Sequence, residues 1–308
     1  MSAPPDGTTA TGARLRAGLG WALLGVVLFS FSVPLTKVAV EGFDPFLAAM
    51  ARALLAGGLA GILLLWRRVP LPERQFRAPL GYTMLGAVFG WPILLGLALQ
   101  RTTSAHAAVL AAFMPLTTAL FAVLRARERV SPQFWAAAGA GTVALVVFAL
   151  TRGGGTGADP VADLLVVGAV LFSSWCYVEG ATITRAMPGW QVISWVVVLA
   201  LPITLPATAL LWVATQPQPT PTQWAALVML GASSMYVAFF AWYRGLAMAG
   251  IARAGQTQQL QPLLTLLWSA LFLGEVVTGA TLAAALVVIA CVVWAQRSRA
   301  PAVVAPEE

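Results

Sequence analysis

The sequence predicts an all-α integral membrane protein with ten transmembrane helices, arranged as two inverted repeats of five helices each. Three observations predict this fold class. Of the 308 residues, 59% are hydrophobic and only 9% are charged, too few to cover the surface of a soluble protein of this length. Apolar stretches long enough to cross a bilayer recur along the whole chain. One of these stretches occurs twice, about half a chain apart.

Each predicted span is an apolar segment of about 20 residues, the length that crosses the hydrocarbon core as a helix. The stretch from 186 to 243 contains no Asp, Glu, Lys or Arg, and the turn TQPQPTPT at 215–222 divides it into two spans. The ten predicted spans are 18–40, 45–66, 79–100, 104–124, 132–151, 162–184, 190–213, 222–244, 252–273 and 278–296.

The repeated stretch reads AFMPLTTALFAVLRARERV in the first half and QLQPLLTLLWSALFLGEVV in the second. Pro115 aligns with Pro262, and Glu128 with Glu275, at one offset, since 262 − 115 = 275 − 128 = 147. Each copy is therefore predicted to be an apolar helix with a central proline and a terminal glutamate. Internal duplication in a very apolar chain is typical of a secondary transporter, whose substrate site lies between the halves.

The distribution of basic residues predicts the orientation of the spans. With the N-terminus in the cytoplasm, 14 of the 18 basic residues lie on the cytoplasmic side, and only Arg101 and Arg152 lie outside. Both termini are then cytoplasmic, and the cell inner (plasma) membrane is the expected location. Because five spans per half is an odd number, the second half enters the membrane inverted. The cytoplasmic basic residues are Arg14, Arg16, Arg67, Arg68, Arg74, Arg77, Arg125, Arg127, Arg129, Arg185, Arg244, Arg253, Arg297 and Arg299.

Three segments and one single residue of the chain resemble a known family. They are SVPLTK at 32–37, Arg52, the stretch from MPLTTAL to RARERV at 114–130, and LQPLLTLLWSALFLGEVV at 260–277. They resemble the drug/metabolite transporter superfamily, specifically its ten-helix branch with two EamA domains. The resemblance implies a central cavity that opens to one side of the membrane at a time. It also implies a carrier of small metabolites, often an exporter of amino acids or related compounds, and leaves the substrate open.

The predicted organisation follows from the spans and the resemblance together. The first EamA-like repeat is expected over 18–151 and the second over 162–296, joined by an extracytoplasmic loop at 152–161. Cytoplasmic tails are expected at 1–17 and 297–308.

Ionisable groups at membrane depth are costly and are therefore candidates for function. Lys37 either faces the cavity, where it attracts an acidic group of the substrate, or extends its ammonium to the headgroups. Arg52 is expected to be structural, in an ion pair with Asp44 or Glu41, rather than in direct contact with substrate. Pro34 is expected to bend the first helix and to free a backbone carbonyl about one turn earlier.

Acidic residues and the single histidine supply the remaining candidates. Glu179 is the only carboxylate well inside a predicted span and is the candidate for proton coupling, with a structural pair to Arg185 or Arg244 as the favoured alternative. Glu128 and Glu275 are expected to be structural, accepting backbone N–H groups at the start of the next helix. His106 is interpreted as an interface residue rather than a proton relay.

The start of the ninth span contains four glutamines in six residues, a composition that is not lipid-facing. Polar groups at that depth face protein or a watery cavity, so these side chains either bind a polar, zwitterionic ligand or join helices. Aromatic residues near span centres are candidates for the apolar walls of the site. With Lys37, the predicted cavity residues are Trp91, Trp175, Tyr236, Gln256, Gln259 and Trp268, beside Gln258 and Gln261.

The leading interpretation is a carrier that exports small organic metabolites, such as amino acids, by alternating access. An importer or exchanger of the same fold is the alternative. An intramembrane enzyme is disfavoured because it needs a cluster of His, Asp or Cys at membrane depth, so no catalytic residue, cofactor or metal is predicted. The expected partners are a small-molecule substrate and the lipid bilayer. Nucleic acid is not expected, because the basic residues flank helix ends, and the oligomeric state stays open.

Overall fold

The computed structural model describes residues 7–126, 132–152, 159–184, 186–249, 254 and 257–297. Every regular element within these ranges is helical, and none of the described residues forms a β-strand. The α-helices are α1 (Gly7–Ser30), α2 (Ser32–Ala39), α3 (Pro45–Trp66), α4 (Arg77–Met84), α5 (Trp91–Leu99), α6 (Ser104–Ala111), α7 (Met114–Ala126), α8 (Pro132–Arg152), α9 (Pro160–Ile183), α10 (Gly189–Thr215), α11 (Pro221–Met229), α12 (Ala238–Ala249), α13 (Gln261–Leu273) and α14 (Gly279–Arg297).

Seven helical segments of the described ranges are long and apolar enough to cross a membrane. Each agrees with a predicted span to within about five residues at both ends. Helices α8, α13 and α14 lie where the other three spans are predicted, and the count of ten stays a prediction. The seven segments are Arg14–Ala39, Pro45–Trp66, Arg74–Leu99, Ser104–Arg125, Pro160–Ile183, Gly189–Thr215 and Pro221–Ala249.

The helices of the two halves pack against one another in matching pairs. Helix α1 packs along α12, and α9 packs along α4 and α5. Helix α3 packs against α10, α6 against α13, and α8 against α14. The contact of α1 with α12 is so close that a Cβ at Gly245 would lie 2.5 Å from the backbone nitrogen of Ala22. The core of the molecule therefore consists of contacts between the first half and the second.

The first span is interrupted in its middle. Helix α1 ends at Ser30 and α2 begins at Ser32. Pro34 has no amide N–H to offer the carbonyl of Ser30 four residues before it. That carbonyl instead accepts a hydrogen bond of 3.0 Å from the hydroxyl of Thr265, on α13. A side chain of the second half thus supplies the hydrogen bond that the helix break in the first half leaves missing.

The two repeated prolines start helices, which corrects the expectation of a central proline in a continuous helix. Helix α6 ends at Ala111, and α7 begins with Pro115 in its first turn. A 3₁₀ turn at Gln258–Leu260 likewise precedes α13, which has Pro262 in its first turn. The first turn tolerates proline because the amide N–H that proline lacks has no helical partner there. Both spans are therefore broken just before the proline.

The third predicted span of each half contains a π-helical segment, which lies between α4 and α5 in the first half and between α11 and α12 in the second. No sequence pattern predicted this feature. These segments are Leu85–Gly90 and Leu230–Val237. A π-helical turn widens the helix locally and is frequent at functional sites. Ala87 from the first segment, and Ser234 and Met235 from the second, line a cavity in the middle of the protein.

Candidate functional site

Two adjoining cavities lie in the middle of the protein, where the interrupted helices meet. We name the first the proline cavity, because it lies between the two helix breaks, and the second the arginine cavity. The proline cavity is lined by Val33, Ala108, Ala111, Met114, Pro115, Gln258, Gln261, Pro262 and Thr265. Its walls include equivalent segments of both halves, so it lies at the boundary between them.

The walls of the arginine cavity also come from both halves. Met114 and Gln261 belong to both cavities. The free space is narrow and admits only water-sized groups, so a larger ligand requires the walls to move apart. The lining residues are Phe29, Ser32, Arg52, Ala87, Trp91, Met114, Ser173, Tyr177, Ser234, Met235, Phe239 and Gln261.

Among the described residues that line the two cavities, Arg52 is the one basic residue. Helix α3 places it in the protein interior, where only 3% of its surface is exposed. Its Nη2 lies 3.5 Å from the hydroxyl of Ser234, at the limit of hydrogen bonding. Within the described part of the chain, its Nε and Nη1 have no hydrogen-bond partner. The guanidinium is thus buried with most of its donors unused.

The expected ion pair of Arg52 with Asp44 or Glu41 is not formed. Asp44 is the N-cap of α3, and its carboxylate accepts hydrogen bonds of 2.9 and 3.2 Å from the amides of Phe46 and Leu47. These amides lie two and three residues away and have no helical partner, so they satisfy the carboxylate locally. Glu41 lies on the exposed surface. Neither carboxylate compensates the charge of Arg52.

Of the three glutamines at the start of the ninth span that the structure describes, two are cavity residues. Gln261 lines both cavities with 7% of its surface exposed, and its Oε1 has no hydrogen-bond partner. Gln258 lines the proline cavity, where its Nε2 lies 3.6 Å from the Sδ of Met114. Gln259 is half-buried and lines neither cavity, and Gln256 lies outside the described residues. The polar end of α13 therefore faces the cavities through Gln261 and Gln258.

Lys37 lies on α2 and lines neither cavity. It is next to the C-terminal end of the third span. Its Nζ donates to the carbonyl oxygens of Leu99 and Thr102, at 2.7 and 3.1 Å. These carbonyls are at the C-terminal end of α5, where a cation also opposes the negative end of the helix dipole. In this position Lys37 stabilises a helix end.

Two of the predicted aromatic residues are close to the break in the first span. Trp91 lines the arginine cavity, and its Nε1 lies 3.4 Å from the hydroxyl of Ser32. Trp268 lines neither cavity. Its ring stacks on Phe31 at 4.6 Å between centroids, and its Nε1 donates to the hydroxyl of Ser30 at 2.8 Å. Trp268 therefore helps to hold α13 against the interrupted helix.

The other two predicted aromatic residues pack between helices. Trp175 packs edge-on against Phe121 and Tyr82, with centroids 5.4 and 6.4 Å apart. The hydroxyl of Tyr236 lies 2.8 Å from that of Ser194, on α10. Neither lines a cavity in this conformation.

Sequence reasoning missed the aromatic wall of the arginine cavity. Phe29, Tyr177 and Phe239 form it, and the rings of Phe29 and Phe239 meet edge-on at 4.9 Å. These residues come from three helices of both halves, so no local pattern marked them. Ser173 and Ser234, on the same cavity, did carry a signal, because small polar residues at membrane depth mark helix contacts or cavities.

Glu179 is paired, but with a different arginine from the two that were expected. The Nε of Arg125 lies 3.0 Å from its Oε1, while its Oε2 is buried without a partner. The side chain of Glu179 is 2% exposed and that of Arg125 is 52% exposed. Arg185 lies outside the described residues, and the guanidinium of Arg244 lies over the ring of Trp21 at 4.7 Å. Helices α7 and α9 thus bring Arg125 into contact with Glu179.

Glu275 accepts backbone N–H groups at a helix start, but the helix is not the next one. Its carboxylate accepts from the amides of Ser104 and Ala105, at 2.9 and 2.8 Å, and from the hydroxyl of Ser104 at 2.9 Å. These residues start α6, in the other half. The next helix, α14, has its own cap, because Thr278 accepts from the amide of Thr281. Glu128 lies outside the described residues.

His106 lies close to this helix start and is almost fully buried. Its Nε2 lies 2.7 Å from the Oδ1 of Asp163, on α9. In the part of the chain that the structure describes, no three His, Cys, Asp or Glu side chains are grouped to hold a metal ion.

Comparison with known proteins identifies the family. The profile of the EamA-like transporter family matches residues 16–150 and 160–295. "Uncharacterized transporter YdeK" of Bacillus subtilis (strain 168) is 41% identical over 288 residues, which cover 90% of this chain and 97% of the relative. "Aromatic amino acid exporter YddG" of Ancylobacter novellus is 27% identical over 245 residues, which cover 78% of this chain and 84% of that protein.

A protein of known crystal structure has the same fold. It superimposes with a TM-score of 0.64 at 21% sequence identity, over 92% of this chain and 98% of the other. The two profile matches span most of the apolar part of the chain, and the described helices include seven that can cross a membrane. The chain is thus a multi-pass membrane protein that belongs to the EamA-like transporter family.

Proposed function

We propose that the protein is a carrier that exports small organic metabolites, such as amino acids, across the cell inner membrane by alternating access. The observation that carries this proposal is the arginine cavity, a mainly apolar space with a few polar groups whose walls come from both halves. Secondary transporters bind substrate at such a boundary and rock one half against the other. The space is narrow, so a substrate requires the walls to move apart.

The relatives support the same proposal. One is named a transporter, and the more distant one is named an aromatic amino acid exporter. The aromatic wall of the arginine cavity fits a ligand with an apolar or aromatic side chain. Export rather than import is the direction that the exporter relative favours.

The proposed topology is ten spans in two inverted repeats with both termini cytoplasmic. The excess of basic residues on one side supports the orientation. The helix pairs support the repeat. The first helix of one half, α1, packs on the third span of the other half at α12, and its counterpart α9 packs on the third span of the first half at α4 and α5. Reporter fusions at Pro217 are expected to read as extracytoplasmic, and fusions at Arg74 and Glu308 as cytoplasmic. A cytoplasmic signal at Pro217 contradicts this topology.

Glu179 is the proposed coupling residue. It is a buried carboxylate whose only described partner, Arg125, is half exposed, so protonation of Glu179 would release the pair. Glu179→Gln is then expected to abolish transport driven by a pH gradient while leaving substrate exchange. If the variant still concentrates substrate against a gradient when driven by pH, Glu179 serves the structure alone.

Proteoliposomes test the function directly. Vesicles with purified protein are loaded with radiolabelled L-phenylalanine, L-leucine, L-threonine or L-lysine, and efflux is compared with that from protein-free vesicles. Protein-dependent efflux without an external substrate supports a carrier, whereas efflux that needs external substrate indicates an exchanger. In cells, expression is expected to lower the intracellular level of the transported compound, and a rise instead indicates an importer. The absence of flux for every compound, in both directions, contradicts the proposal.

A further inference from the structure

Two buried side chains with unpaired polar atoms lie on the same cavity. The first is the guanidinium of Arg52, with unused donors at Nε and Nη1. The second is the Oε1 of Gln261, an unused acceptor. Buried polar groups in proteins are almost always hydrogen-bonded, so an unpaired donor and an unpaired acceptor on one cavity point to a ligand that completes them.

The arginine cavity offers Arg52 no negative charge. Its described lining contains no Asp or Glu, and Ser234 contributes only a neutral hydroxyl at 3.5 Å. A buried cation without a counter-ion is unfavourable, and an anion that enters the cavity removes this cost. Because the guanidinium presents donors in a planar fork, a carboxylate matches it better than a spherical ion does.

Gln261 presents the opposite chemistry. Its free Oε1 accepts hydrogen bonds and carries partial negative charge, which suits an N–H donor such as an ammonium. As the first residue of α13, Gln261 lies at the junction of the two cavities. A ligand that spans the arginine cavity from Arg52 therefore meets an acceptor at Gln261.

Apart from the hydroxyls of Ser32, Ser173 and Ser234, the remaining walls are apolar. Phe29, Tyr177 and Phe239 supply aromatic surface, and Trp91 and Met114 extend it. Such surface binds the apolar part of a ligand, while few polar groups orient it. The site thus combines an anion-binding end, an acceptor and an aromatic wall.

We propose that Arg52 and Gln261 are the two polar recognition residues of a site for α-amino acids with apolar or aromatic side chains. Arg52 binds the carboxylate, and the Oε1 of Gln261 accepts from the ammonium. The ligand side chain packs on Phe29, Tyr177 and Phe239 after the walls have moved apart. This inference rests on the proposed carrier function, whose substrate site it specifies.

Binding to the purified full-length chain in detergent tests the assignment, in a chloride-free methanesulfonate buffer. The probes are L-phenylalanine, L-phenylalaninamide, which lacks the carboxylate, and 3-phenylpropanoate, which lacks the ammonium. The wild type is expected to bind L-phenylalanine most tightly. Arg52→Met is expected to weaken L-phenylalanine and 3-phenylpropanoate by at least about 30-fold in Kd, because a buried charge pair is lost. Its effect on the amide is expected to be small.

Gln261→Met gives the complementary pattern. It is expected to weaken binding of L-phenylalanine and the amide by roughly 10- to 150-fold, through loss of one hydrogen bond to a charged group, and to leave binding of 3-phenylpropanoate unchanged. Arg101→Gln is the control, because it removes a cation from an exposed ion pair and lines neither cavity. It is expected to change no Kd.

Thermal stability separates binding from a structural role. The ligand-free melting temperature of Arg52→Met is expected to equal or exceed that of the wild type, because the substitution removes an uncompensated buried charge. A lower melting temperature with unchanged Kd values overturns the assignment. If Arg52→Met does not fold, Arg52→Lys keeps the charge but loses the fork, and is expected to reduce the preference for L-phenylalanine over its amide without abolishing it.

Three further results overturn the proposal. They are equal binding of L-phenylalanine and its amide by the wild type, no binding of either carboxylate probe, and stabilisation by chloride with no further gain from a carboxylate. The carrier function is judged separately in proteoliposomes. Transport of neutral or cationic compounds without Arg52-dependent binding supports the carrier and rejects this site, whereas Arg52-dependent binding without any flux supports the site and rejects the carrier.

Discussion

The hydroxyl of Thr265 donates a hydrogen bond of 3.0 Å to the carbonyl oxygen of Ser30, the carbonyl that Pro34 leaves without an amide partner. Trp268, one turn further along α13, donates to the hydroxyl of the same Ser30 at 2.8 Å. The interrupted first span and the second-half helix that starts at Pro262 are therefore joined at the level of the cavities. When one half moves against the other, these hydrogen bonds must either break or move with both helices as one unit.

The Thr265 contact predicts an asymmetry between two threonines that the repeat makes equivalent. Thr265→Val is expected to destabilise the protein by about 1–3 kcal/mol, because the buried carbonyl of Ser30 loses its donor. Thr265→Ser keeps the hydroxyl and is expected to be near neutral. Thr118 is 147 residues earlier, and its hydroxyl has no partner. Thr118→Val is therefore the matched control and is expected to lose no stability in thermal unfolding; equal losses at both sites would contradict this account.

The contact between Ser104 and Ser269 predicts a reversible lock. Their hydroxyls are 2.6 Å apart and join the start of α6 to α13. Cysteines at both positions, with Cys176 and Cys291 replaced by alanine, are expected to form a disulfide on oxidation. Alternating access requires the two halves to separate at this end once per cycle, so the oxidised protein is expected to lose transport and to regain it on reduction. Full transport by the oxidised form, with the cross-link verified by mass spectrometry, rules out separation here. Each single-cysteine variant is the control.

The pair of Arg125 and Glu179 predicts unequal effects of removing either partner. Arg125→Met leaves a buried carboxylate without its cation and is expected to destabilise by about 1–3 kcal/mol. Glu179→Gln leaves a half-exposed guanidinium that water solvates, and a smaller loss is expected. The double variant is expected to recover part of the loss of Arg125→Met. Thermal unfolding of all four proteins measures the coupling, and strictly additive losses would show that the pair does not interact.

The exposed pair of Arg101 and Asp159 predicts a pH dependence at acid pH. The hydrogen bond from Arg101, with that from the amide of Val161, lowers the pKa of Asp159 below its ordinary value of 3.8. A lowered carboxyl pKa stabilises the folded state above the ordinary value, and this contribution is lost as pH falls through the lowered one. Arg101→Gln is thus expected to reduce the melting temperature slightly at pH 6 but not at pH 2. A difference that persists at pH 2, or that is unaffected by high salt, excludes this electrostatic origin.

Local patterns were sufficient for those parts of the fold that depend on short stretches of chain. Seven predicted spans coincide with apolar helices because about 20 apolar residues cross a bilayer only as a helix. The repeat of Pro115 and Pro262 correctly located two equivalent elements. It did not show that each proline starts a new helix, because a proline in the first turn and one in the interior read alike in a single sequence.

The roles of the charged residues depended on tertiary structure. Asp44 lies eight residues from Arg52 along the chain, yet it caps its own helix and leaves the arginine on the cavity. Glu275 caps α6 across 170 residues of sequence, and Lys37 reaches carbonyls at the end of α5.

By itself, the sequence determined that the chain is apolar enough to lie in a bilayer and that seven of its helices are long enough to cross it. It also showed that one helical stretch is repeated in each half of the chain. Composition and helix length are local properties of the sequence. The tertiary structure alone decided that Arg52 and Gln261 lie unpaired on one cavity, beside aromatic rings from three helices. A polar group in the interior takes whichever partner the packing of distant helices brings within about 3 Å, and no spacing along the chain encodes that distance.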